Sequence, residues 1–372
     1  MKPRRITLLA RHYPPAVSGG ARRPFLLAQA LRAEGVEVHV VAPSLPEGEP
    51  GIAVPHPHRD PPTAPPGAPS LRDHARELLL WPDPDIRWAM CAARAAAALP
   101  TPDWIITTSP PESLHAAGAW LRRRTGARWA MDFRDHWLER PHRQERSRWW
   151  RKAGEAMLAR RWLVRADLIV AVDPVIATEL AALGARAARV IPHVAAPPPP
   201  PAPLPSDSIN VVHTGAIALS DPDCRVADML DPFVAALAAN PTLRLHLAGR
   251  LTDGERATLA ASPAAARWVD HGVLTLDAAR ALQAGADALI FVASPKMHVP
   301  PSKITEYLTC DVPIIACGAG PWRADPRTPP GDPTDALANL RKGMHAPTER
   351  IRPPTPSVAA RALLDLMAEV SR

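Results

Sequence analysis

Residues 299–318 read VPPSKITEYLTCDVPIIACG, and this stretch decides the fold of the 372-residue chain. Two prolines precede Ser302 and Lys303, after which a short helix carrying Glu306 is predicted. The apolar run Val312–Ala316 follows a break and is short enough to be a buried parallel strand. Loop, helix and strand in this order indicate one repeat of an α/β sheet.

The start of this helix has the chemistry of a nucleotide-sugar site. The first amide protons of a helix lack intrahelical partners and favour an anion, and Ser302 and Lys303 stand at that point. The carboxylate of Glu306, one turn further on, can accept hydrogen bonds from vicinal hydroxyls. Phosphate at the helix start and sugar hydroxyls beside it predict a nucleotide-sugar ligand. The alternative is an ordinary loop–helix–strand unit without a ligand.

Length and composition favour a two-domain protein of the cytoplasm. At about 150 residues per domain, the chain has room for two α/β domains, and its hydrophobic content of 47% supports sizeable cores. The four cysteines form no C-x-x-C pair, which disfavours a disulfide framework and a metal site and fits a reducing compartment. No signal-peptide pattern and no apolar stretch of about 20 residues is present. We therefore expect a cytoplasmic protein, with peripheral contact to the inner face of the membrane left open.

The positive charge of the chain does not predict nucleic-acid binding. The net charge is +7, and all but five of the 44 basic residues are arginine. Arginine, alanine and proline are abundant together, a bias that a GC-rich genome imposes without selection for a partner. Tyrosine and phenylalanine are also too scarce to form stacking platforms for single strands.

The first half of the chain is predicted to form a parallel sheet. Strand Ile6–Ala10, helix Ala21–Glu34 and strand Val36–Ala42 follow one another with short joints, which is the pattern of a βαβ unit. Residues 43–69 are rich in proline without a period and predict a long surface loop. The same alternation continues with strands at 104–107, 128–133, 168–172 and 188–192, and with helices at 112–124, 148–165 and 174–183.

A proline run marks the domain boundary. Residues 195–205, AAPPPPPAPLP, cannot join a helix or a sheet and predict a semi-rigid polyproline II spacer. We predict a first domain at 1–195, a linker at 196–205, a second domain at 206–350 and a last helix within 351–372 that returns to the first domain. The second domain is expected to hold strands at 209–213, 243–248, 267–269, 288–292 and 312–316, and helices at 226–239, 254–261 and 276–284.

Polar residues follow the ends of two strands in the first half. Gly19 and Gly20 precede the first helix, where glycine lets a ligand approach the backbone and the helix start favours negative charge. No third glycine completes a dinucleotide fingerprint, so plain turn chemistry is the alternative. Arg134, Asp135 and His136 follow a strand at the edge where open α/β sheets bind ligands. Arg134 can neutralise an anion there, and Asp135 and His136 can orient hydroxyls or accept a proton. An Arg–Asp pair that closes a loop is the alternative.

Metal ligands are poorly represented. The two Asp-Pro-Asp sequences at 83–85 and 221–223 imitate a D-x-D site, yet aspartate is favoured in proline-containing turns for its turn chemistry alone. We expect no metal and no other cofactor.

The quoted segment resembles the donor-site segment of GT-B glycosyltransferases of family 4 type, in which proline, serine, lysine and glutamate stand in the same order. Residues 13–20, with YPP and the glycine pair, are similar to the start of that family. Residues 107–111 and 131–137 are similar to its bacterial polysaccharide and secondary-metabolite branch. The fold class implied is α/β, GT-B type, with two Rossmann-like doubly wound domains that face each other across a cleft.

The resemblance implies transfer of a sugar from a nucleotide-sugar, UDP-linked by preference, to an acceptor hydroxyl with retention of configuration. Gly215 matches the glycine loop that meets the donor phosphates, Arg250 is the best candidate to balance the diphosphate, and Arg225 is a weaker one. Ser302 and Lys303 belong to the same donor site, and Glu306 matches the residue that holds the ribose hydroxyls. Family members generally need no metal, because basic side chains and helix dipoles stabilise the leaving diphosphate.

The acceptor is expected on the first domain, beside Gly19, Gly20 and the Arg134–Asp135–His136 group. A glycan, a lipid-linked glycan and a small molecule are all acceptors that fit the family. His298 departs from the family pattern, because members often have a second acidic residue at this position, eight residues before Glu306. Two alternatives therefore stay open: a relative that couples an amine acceptor, and a catalytically silent relative that binds a nucleotide-sugar.

A basic segment, Arg140–Arg165, carries nine lysines and arginines interleaved with tryptophan. Basic helices with tryptophan can lie on anionic membranes. The favoured interpretation is a crossover helix with one buried face, and peripheral membrane contact is the alternative.

Overall fold

The computed structural model describes residues 2–16, 19–57, 79–139, 149–217, 226–262, 265–293, 295 and 297–372. The described residues fall into two units. The first comprises those up to Val194 together with Pro354–Arg372, and the second comprises Ala195–Pro353. Both units are α/β, as the sequence predicts.

Strands and helices alternate along both units. The strands are β1 Arg5–Ala10, β2 Glu37–Ala42, β3 Gly51–Ala53, β4 Trp104–Ser109, β5 Arg128–Phe133, β6 Leu168–Ala171, β7 Ala188–Val190, β8 Ile209–Thr214, β9 Leu243–Ala248, β10 Trp268–Asp270, β11 Ala288–Val292 and β12 Ile314–Cys317. The helices are α1 Gly19–Ala33, α2 Ile86–Ala96, α3 Ser113–Thr125, α4 Trp149–Leu163, α5 Pro174–Ala182, α6 Val226–Ala239, α7 Asp253–Ala260, α8 Leu276–Ala284, α9 Lys303–Tyr307, α10 Pro333–Ala338 and α11 Pro356–Val370.

The first unit is built on a parallel sheet of order β3-β2-β1-β4-β5-β6-β7. Apolar side chains of α1 and α11 cover one face of this sheet, and those of α2, α3, α4 and α5 cover the other. The order of the strands reverses between β1 and β4. In open α/β sheets, ligands bind outside the carboxyl ends of the strands at such a reversal. The loops after β1, β4 and β5 are therefore the functional edge of this unit.

The last helix, α11, belongs to the first unit. Its buried residues, Ala359, Ala360, Leu363, Leu364 and Met367, pack in the same cluster as α1. An ion pair of 2.7 Å between Arg361 and Glu34 joins the two helices at the surface. The chain thus returns to its first unit after it has completed the second.

The stretch 43–69 is not all loop, as the sequence suggested. Residues Gly51–Ala53 form β3 and pair in parallel with β2, and Gly51 lies opposite Val40. Gly51 has a φ of +148°, and a Cβ there would lie 1.9 Å from the carbonyl oxygen of Val40. Only glycine fits this position. Because glycine is rare in strands, the residue propensities of this stretch do not predict a strand. Residues 58–69 of the predicted loop lie outside the described residues.

The second unit repeats the plan on a smaller parallel sheet of order β10-β9-β8-β11-β12. Its two faces are covered by separate apolar clusters, one with α6 and α7 and the other with α8 and α9. The order of the strands reverses between β8 and β11. The carboxyl ends of these two strands therefore define the functional edge of the second unit.

The proline segment predicted as a spacer belongs to the second unit and is tied to α8. The amide of Ala202 donates to the carbonyl oxygen of Ala281 at 2.8 Å, and Arg280 donates to the carbonyl oxygen of Ala196 at 2.9 Å. A Cβ at Gly285 would lie 2.3 Å from the carbonyl oxygen of Ala202, which shows how closely the two backbones approach. The segment 196–205 is thus attached to α8 at Ala196 and Ala202.

Candidate functional site

Lys303 brings a positive charge to the edge of the second unit. It is the first residue of α9, and its Nζ lies 3.3 Å from the carbonyl oxygen of Ala216 and 3.4 Å from Nε2 of His213. Burial lowers the pKa of Lys303 to about 8, so the ammonium is still the main form at pH 7. Lys303 and the Gly215 loop, both predicted to belong to the donor site, are therefore neighbours.

Gly215 forms the turn under this ammonium. It follows β8 with a φ of +99°, and a Cβ there would lie 3.3 Å from Nζ of Lys303. Gly249 follows β9 with a φ of +155°, and a Cβ on it would lie 2.4 Å from the carbonyl oxygen of Gly215. Both positions need glycine, because the φ values are strained for other residues and the two loops touch through their backbones. The result is a bare backbone turn next to a cation.

Glu306 joins the same edge through a network of buried polar groups. Gln283 on α8 donates to Oγ1 of Thr214 at 2.8 Å and to Oε2 of Glu306 at 3.4 Å. The hydroxyl oxygen of Tyr307 accepts a hydrogen bond of 2.9 Å from the amide of Thr214. Burial raises the pKa of Tyr307, so it stays a neutral phenol. These contacts fix the end of β8 against α9 and place Glu306 close to the glycine turn.

The other predicted donor-site residues lie in loops of the same unit. Arg250 follows Gly249, is half-buried, and makes no hydrogen bond or ion pair with any residue that the structure describes. Ser302 is exposed and precedes α9 in helical backbone geometry, without a side-chain capping bond. His298 is exposed in the loop between β11 and α9. Arg225, the weaker candidate, lies outside the described residues.

Helix α9, in the quoted segment, is too short for its dipole to form an anion site. α9 has five residues, so few aligned peptide dipoles point at its start. The side chain of Lys303 and the backbone of the Gly215 turn are therefore the main groups that an anion would meet here.

Arg134 braces three loops of the first unit. Its guanidinium donates to the carbonyl oxygens of Ser109 at 3.1 Å and Pro110 at 2.9 Å, and also to that of Gly20. A Cβ on Gly20 would lie 2.8 Å from Nη1 of Arg134. The structure therefore corrects the anion site predicted for Arg134: the side chain is engaged by backbone carbonyls and joins the loops after β4 and β5 to the start of α1. Gly19 and Gly20 form the first residues of that helix, and Ser18 lies outside the described residues.

His136 is paired with a carboxylate that sequence reasoning did not identify. Its Nδ1 lies 2.5 Å from Oε2 of Glu179 on α5, and the other oxygen of Glu179 accepts from the amide of Leu138 at 2.6 Å. Burial lowers the pKa of His136, but the hydrogen bond and charge of Glu179 outweigh it, and the pKa is raised. The carboxylate of Asp135 accepts from the amide of His136 at 2.9 Å. His136 therefore tends to carry a positive charge at this edge.

A second ion pair, also missed from the sequence, lies behind this edge. Arg23 on α1 and Asp132 on β5 are both buried and form three hydrogen bonds of 2.9 to 3.2 Å. Thr108 donates to Asp132 at 2.9 Å, and Arg23 donates to the carbonyl oxygen of Pro192. The pair ties α1 to the ends of β4 and β5. The only signal in the sequence is an arginine on a mostly apolar helix face.

Part of the basic segment is helix α4, and residues 140–148 lie outside the described residues. Arg151 is buried with Glu155, and its guanidinium lies 4.2 Å from the ring centroid of Trp81. Trp149 and Met157 are 80% and 71% exposed. Within the described part of the chain, no helix is long and apolar enough to span a membrane. No group of three or more His, Cys, Asp or Glu side chains in that part could hold a metal ion.

Comparison with known proteins agrees with this architecture. Residues 18–193 match the family model described as "Glycosyl transferase 4-like domain". No curated protein sequence matches the chain.

Several solved structures match almost the whole chain. Sucrose-phosphate synthase from Thermosynechococcus elongatus is 18% identical with a TM-score of 0.60, and the match covers 99% of this chain and 90% of that one. HepE of Anabaena, solved in complex with UDP-glucose, is 14% identical with a TM-score of 0.53 and the same coverage. A putative UDP-N-acetylglucosamine 2-epimerase from Listeria monocytogenes is 12% identical with a TM-score of 0.56, over 98% of this chain and 96% of that one. At these identities the likeness shows the fold.

Proposed function

We propose that this chain, which has the GT-B fold and whose residues 18–193 match a glycosyl transferase 4-like domain, transfers a sugar from a nucleotide-sugar donor to an acceptor hydroxyl. One observation carries the proposal. At the carboxyl edge of β8 and β11, the ammonium of Lys303 lies over the bare backbone turn of Gly215, and the carboxylate of Glu306 stands one helical turn away. The cation and the glycine turn suit a diphosphate, and the carboxylate suits the hydroxyls of a ribose.

Each donor-site residue has a role in this proposal. The diphosphate lies against the Gly215 turn and the ammonium of Lys303, because the cation favours an anion and a glycine without a side chain lets the anion approach the backbone closely. Arg250, at the neighbouring strand end, supplies a second positive charge, and Ser302 adds a hydroxyl. Glu306 accepts hydrogen bonds from the ribose hydroxyls.

We propose a UDP-linked donor and transfer with retention. The complex of HepE with UDP-glucose, on the same fold, supports UDP as the first nucleotide to test. The proposed reaction uses no metal, because Lys303 and Arg250 supply the positive charge that the leaving diphosphate requires.

The acceptor is proposed to bind at the edge of the first unit. Gly19 and Gly20 open α1 there, and Asp135 and His136 follow β5. The raised pKa of His136 makes it a donor of charged hydrogen bonds, while the half-buried Asp135 is an acceptor for a hydroxyl. Arg134 acts on this site through the loops that it holds. Among the acceptor classes that fit the family, the exposed Trp149 and Met157 of α4 favour a lipid-linked glycan.

The fold alone does not separate transfer from epimerisation, because a putative UDP-N-acetylglucosamine 2-epimerase shares it. The match of the first unit to a glycosyl transferase 4-like domain supports transfer.

The donor site is tested by the variant Glu306→Ala. UDP binding, measured by calorimetry, should weaken by about 1–3 kcal/mol, the usual cost of losing a charged hydrogen-bond partner. The thermal midpoint should stay near that of the wild type, because the carboxylate lies at the edge of the sheet. Glu349→Ala, at an exposed carboxylate of the same unit, is the matched control and should bind UDP as the wild type does. Equal affinity of all three proteins would remove Glu306 from the donor site.

A further inference from the structure

The ammonium of Lys303 is held by neutral groups. Its polar neighbours are Nε2 of His213 and the carbonyl oxygen of Ala216, and no carboxylate in the described part of the chain pairs with it. A lysine that is held without a counter-ion keeps its full charge for a ligand.

The tautomer of His213 follows from its other contact. Nδ1 of His213 lies 2.9 Å from the carbonyl oxygen of Ile290. A carbonyl oxygen only accepts, so Nδ1 carries the proton and Nε2 presents a lone pair. Nε2 is the atom that faces Lys303 at 3.4 Å. The imidazole is therefore an acceptor for the ammonium.

The ring of His213 cannot turn away from this position. The side chain is fully buried at the end of β8, and the ring of Phe233 meets it edge-on with the centroids 5.7 Å apart. Rotation would also break the bond to Ile290.

We propose that His213 is a positioning residue of the donor site: its neutral imidazole holds the ammonium of Lys303 over the Gly215 turn, where the charge faces the donor diphosphate. The inference rests on the proposed function and adds to it a fully buried residue at the end of β8 that acts through Lys303. A carboxylate in this place would cancel the charge of Lys303, whereas a neutral acceptor orients the ammonium and leaves the charge available.

The electrostatics of the surrounding groups agree with this role. Burial, followed by the charge of Lys303, lowers the pKa of His213 to about 3, so it remains an acceptor at neutral pH. The other titratable or charged side chains on the neighbouring elements include Glu306 and Tyr307 on α9 and Arg250 after β9. Strand β9 itself carries Arg244 and His246, and α6 carries the exposed Asp231. Within the described residues, only His213 among these groups lies within hydrogen-bond distance of Nζ.

A first experiment needs no ligand. The chain has only five lysines, so the ¹³Cε signals of uniformly ¹³C-lysine-labelled protein can be assigned with the variant Lys303→Met and followed against pH. Loss of an acceptor that favours the charged form lowers a lysine pKa. The pKa of Lys303 should therefore fall in His213→Phe, which keeps a buried ring. It should stay near the wild-type value in His213→Gln, whose side-chain oxygen can still accept. An unchanged titration of Lys303 in His213→Phe would overturn the proposal.

A second experiment links the pair to the donor. At pH 7, UDP affinity measured by calorimetry should fall about tenfold in His213→Phe, a loss typical of a hydrogen bond to a charged group. In the Lys303→Met background the same substitution should cause no further loss. Equal losses in the two backgrounds mean that His213 acts through the fold alone, which contradicts the proposal. If the wild-type protein does not bind UDP, the proposed donor is wrong, and the lysine titration still decides the role of His213.

Discussion

Three buried histidines are held neutral among the residues that the structure describes. His115 on α3 and His213 on β8 are fully buried, and burial is the main cause that lowers the pKa of each to about 3. His246 on β9 is almost fully buried, and burial and the nearby His271 lower its pKa to about 4. Each ring is hydrogen-bonded in its neutral form: His115 to Thr107, His213 to Ile290 and His246 to Asn210.

These residues predict a loss of stability in mild acid. In the unfolded chain a histidine binds a proton below a pKa of about 6.5, whereas the folded groups stay neutral down to about pH 4. The unfolded state therefore binds more protons in this window, and the free energy of unfolding falls as the pH drops from 6.5 towards 4. Each group contributes up to about 1.4 kcal/mol per pH unit. Urea unfolding at pH 7, 6, 5 and 4.5 measures the slope.

Substitution of one histidine tests the assignment. His246→Gln should make the stability of the second unit less sensitive to pH, while the exposed His345→Gln should leave the slope unchanged. His136 opposes the trend, because its raised pKa stabilises the folded state below the unfolded value and this contribution is lost at higher pH. A urea midpoint of the wild-type chain that is constant between pH 6.5 and 4.5 would contradict the predicted loss of stability in acid.

Single residues also show what the sequence could and could not predict. Lys303 and Glu306 were predicted from local chemistry, because a loop, a short helix and a strand follow one another in consecutive letters, whereas Gly215 was predicted from the family resemblance. His213 and Gln283, which contact two of them, lie near the ends of a strand and a helix that are distant in the sequence from Lys303 and Glu306, and they reach the site only after the chain folds. Arg134 was read as an anion site because its carbonyl partners carry no side-chain signal.

Among the elements, helix α4 has the most unusual surface. Trp149 and Met157 are 80% and 71% exposed and stand eight residues apart on the helix, and Val164, directly after its end, is 42% exposed. Arg160 and Arg161 are exposed beside them. An exposed apolar stripe flanked by arginines is the composition of a helix that lies on an anionic membrane.

We expect the full chain to sediment with anionic vesicles at low salt and to be released as salt rises, because electrostatic attraction to the surface is screened. The double variant Trp149→Ser/Met157→Ser should weaken vesicle binding and leave UDP binding unchanged. Substitution at Val370, an exposed apolar residue of α11, to serine is the matched control. A protein that stays in the supernatant at low salt makes a soluble acceptor the better proposal.

Prediction of the elements succeeded where the period of apolar residues is clear. The bounds of α6, α8 and β11 agree with those expected from the sequence. Strand β3 was missed because it has three residues and starts with glycine. Helix α2, IRWAMCAARAA, was also missed, although its buried residues lie on one face, because four of the five are alanine.

At the scale of the molecule, the two units share one design. Each has a parallel sheet whose order reverses beside its first strand, and each presents polar loops at the carboxyl ends of the strands around that reversal. The GT-B fold predicted from the sequence is confirmed by the solved structures, and residues 18–193 match the glycosyl transferase 4-like domain. Alternation of strands and helices with short joints was sufficient to predict both sheets. The structure was needed to show which loops contact one another, because those contacts depend on the order of the strands in each sheet.

The central claim is that the folded chain binds a nucleotide-sugar, and thermal unfolding tests it most directly. The midpoint of the wild-type chain is measured with UDP, GDP, ADP and TDP and with their glucose derivatives, each in excess over the protein. A ligand that binds only the folded state at about 100 times its Kd stabilises it by about 2.7 kcal/mol. The account predicts a raised midpoint with UDP and UDP-glucose, and a smaller rise in Glu306→Ala. If no nucleoside diphosphate and no nucleotide-sugar in the panel raises the midpoint of the wild-type chain, the account is contradicted.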